Sequence, residues 1–522
     1  MKERLLTFQD YRVKDREPLQ DHCGILGAIG PQQFMFLTSG IEGLKKLETR
    51  GHDAAGVVGL NEDGAITLKH SKPGRVLEVF SEDFMRKHKQ TLADQWVLQT
   101  RYGTNGDLLN KPELSTQPCI RMHEETGLPI VVAHNGEFWT DDDDRNGVVS
   151  DSIRFAERLS QSTGDDWPSR IIKTLEQERG TYSLIIHVPG EMIVVRDPQA
   201  PRPLCYGQYW DELAGDRVWV AGSETIALNK IGVSRVEEVM AGELVRFLPD
   251  QQPIVIKNAL APETPKVCLF EDVYIGHGNS KSHIPRNHAG EINDSSQVGE
   301  NRQRSGEITQ REAPLTKDDV DFIVGIPGTA IAGGKGLARE AKLPYIQVVK
   351  DRDPHDNERT FMTPDINSIY GKVLNGLRFD REALKGAHVG VVEDSVVRFN
   401  VLRAIIDFLK EECGVASIHA RILCPPVIDA CTRGGANTRS RDELFAGRIL
   451  LASEGELSDD ELVELMRKEM GIESLAFLSL EGLKESQTGN PHDERFCTEC
   501  LLDSKSPSGT IFLGENIPVI SR

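Results

Sequence analysis

Residues 21–30 read DHCGILGAIG, a Cys-Gly pair at the lip of a run that alternates small and branched residues in the manner of a strand. Cys23 is either one more buried thiol, since free cysteine is among the most buried residue types, or a nucleophile that becomes available once the residues before it are cut away. The rest of the chain decides between the two.

With 522 residues there is room for two or three domains and a well-buried core. A formal net charge of −20 argues against a general binder of nucleic acid or anionic membrane, while leaving room for a local basic pocket for a phosphorylated small molecule. No apolar run approaches the length that spans a bilayer. The first 22 residues carry charges throughout and lack an apolar h-region, so they do not read as a secretory signal. Nine cysteines, an odd number, do not suggest a disulfide framework. A reducing cytoplasm is the expected compartment, with some thiols free to act as ligands or catalysts.

From residue 23 to 258 the sequence is rich in short strands broken by glycine, among them WVLQTRYG, LPIVVAHNGEF, TYSLIIHV, EMIVVRDP and RVWVAGSE. Helical stretches fall at 33–48 and 151–178, which predicts stacked sheets with helices outside. Residues 277–316 are polar and read as a loop-rich insertion. The pattern then becomes α/β: VDFIVGIP, a Gly-rich turn and helix, YIQVVK, AHVGVVED, an amphipathic helix and SIHARIL. Units of this size predict a parallel sheet. Ser458 and Glu461 form a capping box on a helix stopped by Gly471, and a loop-rich tail carries FCTEC. The predicted division is 1–22, 23–258, 259–480 (with 277–316 inside it) and 481–522.

Four Gly-flanked polar clusters follow Cys23 at strand ends: TRGHDAAGV (49–57), TRYGTNG (100–106), AHNGE (133–137) and SDS (150–152). Each alone is an ordinary turn. In this order, with RDPQAPRPL (196–204), AGSETIAL (221–228) and EEVMAGELVRF (237–247), they resemble the glutaminase domain of class II, N-terminal-nucleophile glutamine amidotransferases. The likeness continues beyond that domain and is to the glutamine phosphoribosylpyrophosphate amidotransferases. It implies a four-layer αββα N-terminal-nucleophile domain followed by a type I phosphoribosyltransferase-like parallel α/β domain. It also implies that residues 1–22 are a propeptide, so that cleavage frees the α-amine of Cys23 to act as general base for its own thiol. By the same resemblance Arg101 clamps the glutamine α-carboxylate and Asp151 holds the α-ammonium. Asn135 and the Gly136 N–H form the oxyanion hole. The chain departs from the family at His52, where glutamine is usual, and at Gln99-Thr100, where His-Val is usual.

In the second domain the strand of VGVVEDSVVRFNV (389–401) ends in Glu393 and Asp394, which by resemblance bind ribose hydroxyls, with Ser395 and Arg398 following. Read without the family, the pair is a solvated acidic turn. IPGT (326–329) matches a pyrophosphate loop ending in Thr329. VVKDRDPHDNERTF (348–361) matches a basic closing loop with Lys350, Arg352 and Arg359 as its cations. Where the family has Arg-Gly-Thr-Thr for the 5'-phosphate, this chain has Arg398-Phe399-Asn400-Val401. Glycine lets backbone approach a phosphate, so Phe399 is expected to crowd the cradle, and Val401 brings no hydroxyl. Gly328 replaces the polar residue usual before the threonine. The closing loop is longer than usual, and Asp353, Asp356 and Glu358 dilute its charge.

Cys497-x-x-Cys500 reads as a redox pair, half a zinc site or half an iron–sulfur site. The family resemblance selects the last: one class of these enzymes holds a [4Fe–4S] cluster on four cysteines, which match Cys268, Cys431, Cys497 and Cys500. Cys119, Cys205, Cys413 and Cys424 are expected in the core. The resemblance further implies Mg²⁺, homo-oligomers (tetramers or dimers) and one reaction. Phosphoribosylpyrophosphate, glutamine and water become 5-phosphoribosylamine, pyrophosphate and glutamate, the first step of purine biosynthesis. Two alternatives stand beside it: an intact glutaminase serving another ammonia acceptor, and a catalytically silent regulatory paralogue.

Overall fold

The computed structural model describes residues 23–101, 117–139, 150–212, 215–261, 263–283, 296–351, 377–431, 433, 440–453 and 457–501. Residues 1–22, with the expected propeptide, lie outside them, as do Arg352, Arg359 and the tail beyond residue 501.

The strand Gly24–Phe34 begins directly after Cys23 and runs through the middle of a seven-stranded antiparallel sheet, between Asp216–Gly222 and Ala93–Arg101. Its side chains alternate between two cores. Leu26 and Ala28 face one, Ile25 and Ile29 the other. Both faces are apolar because the sheet is an inner layer. At Gly27 a Cβ would stand 2.6 Å from Cγ2 of Ile185 in the facing sheet, so glycine permits the close approach of the two layers. That second sheet has six strands, antiparallel throughout, with Pro129–Trp139 and Arg179–Val188 paired near its middle. Val131, Ala133 and Ile185 meet the first sheet, while Ile130, Val132 and Leu184 face outward. The helices Leu37–Lys45 and Thr225–Ile231 cover the first sheet, and Asp151–Ser160 and Trp167–Leu175 cover the second. This is the expected αββα sandwich.

The second unit is built on a four-stranded parallel sheet in the order Phe322–Gly325, His388–Glu393, Ser417–Ile422, Ser474–Phe477. Asn400–Glu411, Phe445–Ala452 and Asp459–Met470 bury apolar faces against one side. Ala330–Ala341 places Leu337 and Ala338 on the other. The expected YIQVVK strand is mostly absent. Tyr345 makes one parallel bridge to Ile323, and Val349–Asp351 pairs antiparallel with Leu377–Phe379.

The polar stretch 277–316 is not a loop throughout, because Val298–Glu312 forms a helix. Its composition misleads because its buried face is polar: Asn301, Arg302, Ser305, Thr309 and Gln310 are all buried. Small residues bring it against Ala330–Ala341. A Cβ on Gly306 would lie 1.9 Å from the Gly333 carbonyl oxygen, and one on Gly336 2.1 Å from that of Gln303.

Candidate functional site

Cys23 sits half-buried at the head of its strand, and its backbone N–H donates to Asn135 Oδ1 at 3.2 Å. That bond fixes the amide of Asn135: the oxygen faces the donor, so Nδ2 points away. Asn135 is fully buried, and Nδ2 is a donor with no partner. A buried, unsatisfied donor costs about 1–3 kcal/mol, which an incoming acceptor recovers. Gly136 follows with φ +151°, and a Cβ there would stand 2.0 Å from the Thr181 carbonyl oxygen. Only glycine lets the chain turn here beside the strand Arg179–Val188.

Asp151 opens the helix Asp151–Ser160, whose cap is Ser150. Its Oδ2 accepts from the Phe138 N–H at 3.0 Å and lies 3.7 Å from His134 Nδ1. His134 is hydrogen-bonded to Ser152 Oγ at 2.8 Å, and burial holds its ring below the ordinary histidine range. Arg101 ends the strand Ala93–Arg101 and is nearly buried. The thiol of Cys119, pushed up to about 12 by burial, feels the charges of Arg101 and Asp151 and the thiol of Cys23. Cys119 is thus the one described group on which all three act. A guanidinium, a carboxylate, a thiol and an unpaired amide N–H complement an α-amino acid with a side-chain carbonyl.

The departures at Gln99 and Thr100 have jobs in the structure. Thr100 Oγ1 accepts from the Gly24 N–H at 3.1 Å, anchoring the head of the strand that follows Cys23. Gln99 Nε2 donates to the His134 carbonyl at 2.8 Å and to Gln117 Oε1. Gln117 Nε2 continues to Ser152 Oγ at 2.9 Å. His52 is half-exposed, 3.9 Å from Asp53.

In the second unit Glu393 and Asp394 end the central parallel strand, where open α/β sheets place ligands. They are buried rather than a solvated turn. Asp394 accepts from Ser395 Oγ at 2.6 Å and from Thr329 Oγ1, bringing the two loops together. Burial, then mutual repulsion, raises Glu393 well above the carboxylate range, and burial also raises Asp394. Carboxylate oxygens are the ligand type that hard divalent cations take. Arg398 donates to Glu443 at 2.8 Å, and Lys350 is exposed on Val349–Asp351.

The expectation for Phe399 is corrected. Its backbone takes φ +70°, the left-handed conformation natural to glycine, and its ring is 6% exposed, stacked on Phe445 at 4.5 Å within the core. The turn keeps a glycine-like path while the side chain leaves it. Val401 also packs against that core.

Cys268 and Cys497 lie opposite each other in a two-stranded parallel ladder, Val267–Cys268 with Phe496–Cys497. Cys431 and Cys500 are within electrostatic reach: Cys500 feels Cys431, Cys268 and Cys497, and burial pushes its thiol well up. Among the described residues no group of three or more His, Cys, Asp or Glu side chains is spaced for a single metal ion. Four thiols drawn from three segments are the donor type that iron–sulfur centres use. Cys119, Cys205, Cys413 and Cys424 are buried, as expected.

Sequence reasoning missed Arg50, Arg202, Glu224 and Glu271, a buried charge cluster beside Cys23. Arg50 stands within the quoted TRGHDAAGV motif, and a charged residue flanked by turn glycine was the available signal.

No family model matches the chain. Amidophosphoribosyltransferase of Synechocystis sp. is 29% identical, over 94% of this chain and 93% of its own length. Amidophosphoribosyltransferase 2, chloroplastic, of Arabidopsis thaliana is 30% identical, over 94% of this chain and 80% of its own. Among solved structures, the Bacillus subtilis glutamine phosphoribosylpyrophosphate amidotransferase complexed with ADP and GMP superposes with a TM-score of 0.72 at 24% identity, covering 92% of this chain and 96% of that one. The fold is therefore shared. The chain belongs to the amidophosphoribosyltransferase family.

Proposed function

We propose that this member of the family is a glutamine-dependent amidophosphoribosyltransferase, forming 5-phosphoribosylamine, pyrophosphate and glutamate in the cytoplasm. The observation that carries the reading is Asn135, its Oδ1 held by the Cys23 N–H while its own N–H₂ is buried and unpaired. Once residues 1–22 are removed, the same Cys23 nitrogen is a free amine, able to take the thiol proton. The thiolate attacks the glutamine carboxamide, held by Arg101 and Asp151. Charge on the tetrahedral oxygen is met by Asn135 Nδ2 and the Gly136 N–H. Collapse expels ammonia, and water hydrolyses the γ-glutamyl thioester to glutamate.

Glu393, Asp394, Ser395 and Thr329 are the proposed ribose and cation residues for phosphoribosylpyrophosphate, with Arg398, Lys350, Arg352 and Arg359 as its proposed phosphate-binding cations. Bound there, Mg²⁺ would neutralise charge on the departing pyrophosphate. Phe399's withdrawal into the core supports retention of a phosphate-accepting turn. Cys268, Cys431, Cys497 and Cys500 are proposed to hold a [4Fe–4S] cluster with a structural role.

A different ammonia acceptor is favoured by one observation: the Val401 side chain, apolar and packed against the core, gives a phosphate nothing to bind. The test of both readings uses protein purified without oxygen, its N-terminus checked by mass. Glutamate release is followed with and without phosphoribosylpyrophosphate and Mg²⁺. Stimulation with pyrophosphate formed in step supports the first reading. Release indifferent to phosphoribosylpyrophosphate supports the second.

A further inference from the structure

The nucleophile is gripped partly from outside its own unit. Arg50 has no exposed surface and spreads its guanidinium over three partners. Nε donates to the Cys23 carbonyl at 3.4 Å, Nη1 to Glu224 at 2.7 Å, and Nη2 to both oxygens of Glu271 at 2.9 Å. Glu271 also accepts from Arg202 at 3.4 Å. Arg50, Arg202 and Glu224 belong to the glutaminase sandwich, whereas Glu271 comes from the second unit, a few residues after Cys268. Glu224 in turn accepts from the His277 N–H at 2.9 Å and from Ser280 Oγ at 2.5 Å, so the 271–280 segment is held at several points.

We infer that Glu271 is a positioning residue for Cys23, acting through Arg50. A planar guanidinium bound along two edges has one orientation. Its contact with the Cys23 carbonyl is long, and so depends on that orientation. Without Glu271 the Nη2 edge loses both carboxylate oxygens, the guanidinium turns toward Glu224, and its bond to the Cys23 carbonyl is lost. The angle between the Cys23 nitrogen and its thiol is then no longer fixed. Correct docking of the second unit thereby becomes a condition for glutamine hydrolysis. The inference rests on Cys23 being the glutaminase nucleophile.

The test uses the full, processed, iron-loaded protein as wild type, Glu271→Gln and Glu271→Asp. Three quantities are read: kcat and KM for glutamate release, the rate of Cys23 alkylation by iodoacetamide, and iron content. For Glu271→Gln, kcat and the alkylation rate should fall by about ten- to a hundredfold, the range that small misplacements of reacting groups produce. KM should stay within about twofold of wild type, because Arg101 and Asp151 are untouched. Glu271→Asp should recover part of the loss. Unchanged kcat in iron-replete Glu271→Gln overturns the inference, as does a rise in KM with kcat held. If Glu271→Gln fails to fold or to retain iron, Arg50→Lys decides: it breaks the same bridge from the glutaminase side and should give the same kcat loss with iron intact. Wild-type activity in Arg50→Lys overturns the inference. A processed wild type that releases no glutamate removes the reading of Cys23 and this inference together; one that does, with active variants, removes only the inference.

Discussion

Asn135 occupies its site at a cost, since Nδ2 is buried without a partner. A residue kept in that state stores stabilisation for whatever acceptor arrives, and an oxyanion gains more from it than a neutral carbonyl does. Asn135→Ala should therefore lower kcat for glutamate release by about 10²–10³, with KM for glutamine little changed. Steady-state kinetics on the processed protein checks this, and a matched rise in KM would assign Asn135 to ground-state binding instead. Phe399 makes the opposite trade. Its left-handed backbone costs about 1–2 kcal/mol, while truncating a buried aromatic costs about 3–5 kcal/mol. Phe399→Gly should thus destabilise the protein by about 1–4 kcal/mol, although glycine is the conformationally favoured residue there. Urea unfolding measures it, and a stabilised variant would mean the stacking on Phe445 contributes little.

At the scale of elements, what the sequence revealed and what it hid have one cause. The strand Gly24–Phe34, the helix Asn400–Glu411 and the capping box at Ser458 and Glu461 are legible because local apolar period and cap chemistry agree with the final packing. The helix Val298–Glu312 is not, because its buried face is hydrogen-bonded polar groups, and its closeness to Ala330–Ala341 depends on glycines in both partners. Phe399 failed for a related reason: residue size predicts a clash only when the direction of the side chain is known. Cys23, Arg101, Asn135 and Asp151 were legible as motifs, but the bond from the Cys23 N–H to Asn135, 112 residues away, was not. The turn at Asp197 shows how much a short connection carries. Its buried carboxylate accepts from the N–H groups of Tyr182, Gln199 and Ala200, yet burial raises it from 3.8 to about 6. A carboxyl whose folded pKa is raised favours the folded state below its unfolded pKa and loses that advantage as pH rises through the folded value. Relative to Asp197→Asn, the wild type should lose roughly 3 kcal/mol between about pH 4 and pH 6. Denaturation curves across that window test the sign, and a parallel pair of curves would refute it.

At the scale of the whole molecule, the units are joined near the thiols. The ladder of Val267–Cys268 with Phe496–Cys497 is one joint, tying the tail to the second unit, and Glu271 on Arg50 is a second, tying the second unit to the first. The third is Arg433, whose carbonyl accepts from Thr181 Oγ1 at 2.7 Å while its guanidinium reaches Gln199 and, at 2.6 Å, Glu499. Thr181 lies opposite Glu137, next to Gly136. Cys431 is therefore tied, through Arg433 and Thr181, to the strand that carries Asn135 and Gly136. If the four cysteines hold a metal centre, removing it frees Cys431 and loosens the hold of Arg433 on this sheet, so glutamine hydrolysis should suffer. Two substitutions separate the causes. Cys500→Ser should lose iron, lower the thermal midpoint and lower kcat for glutamate release together. Thr181→Val, which deletes only the hydroxyl that grips Arg433, should keep its iron and thermal midpoint while kcat falls several-fold, as loss of one hydrogen bond of about 1 kcal/mol implies. Iron content, calorimetry and kcat on the same preparations decide the point: full activity in Thr181→Val would show that the metal centre supports the fold without reaching the strand of Asn135 and Gly136.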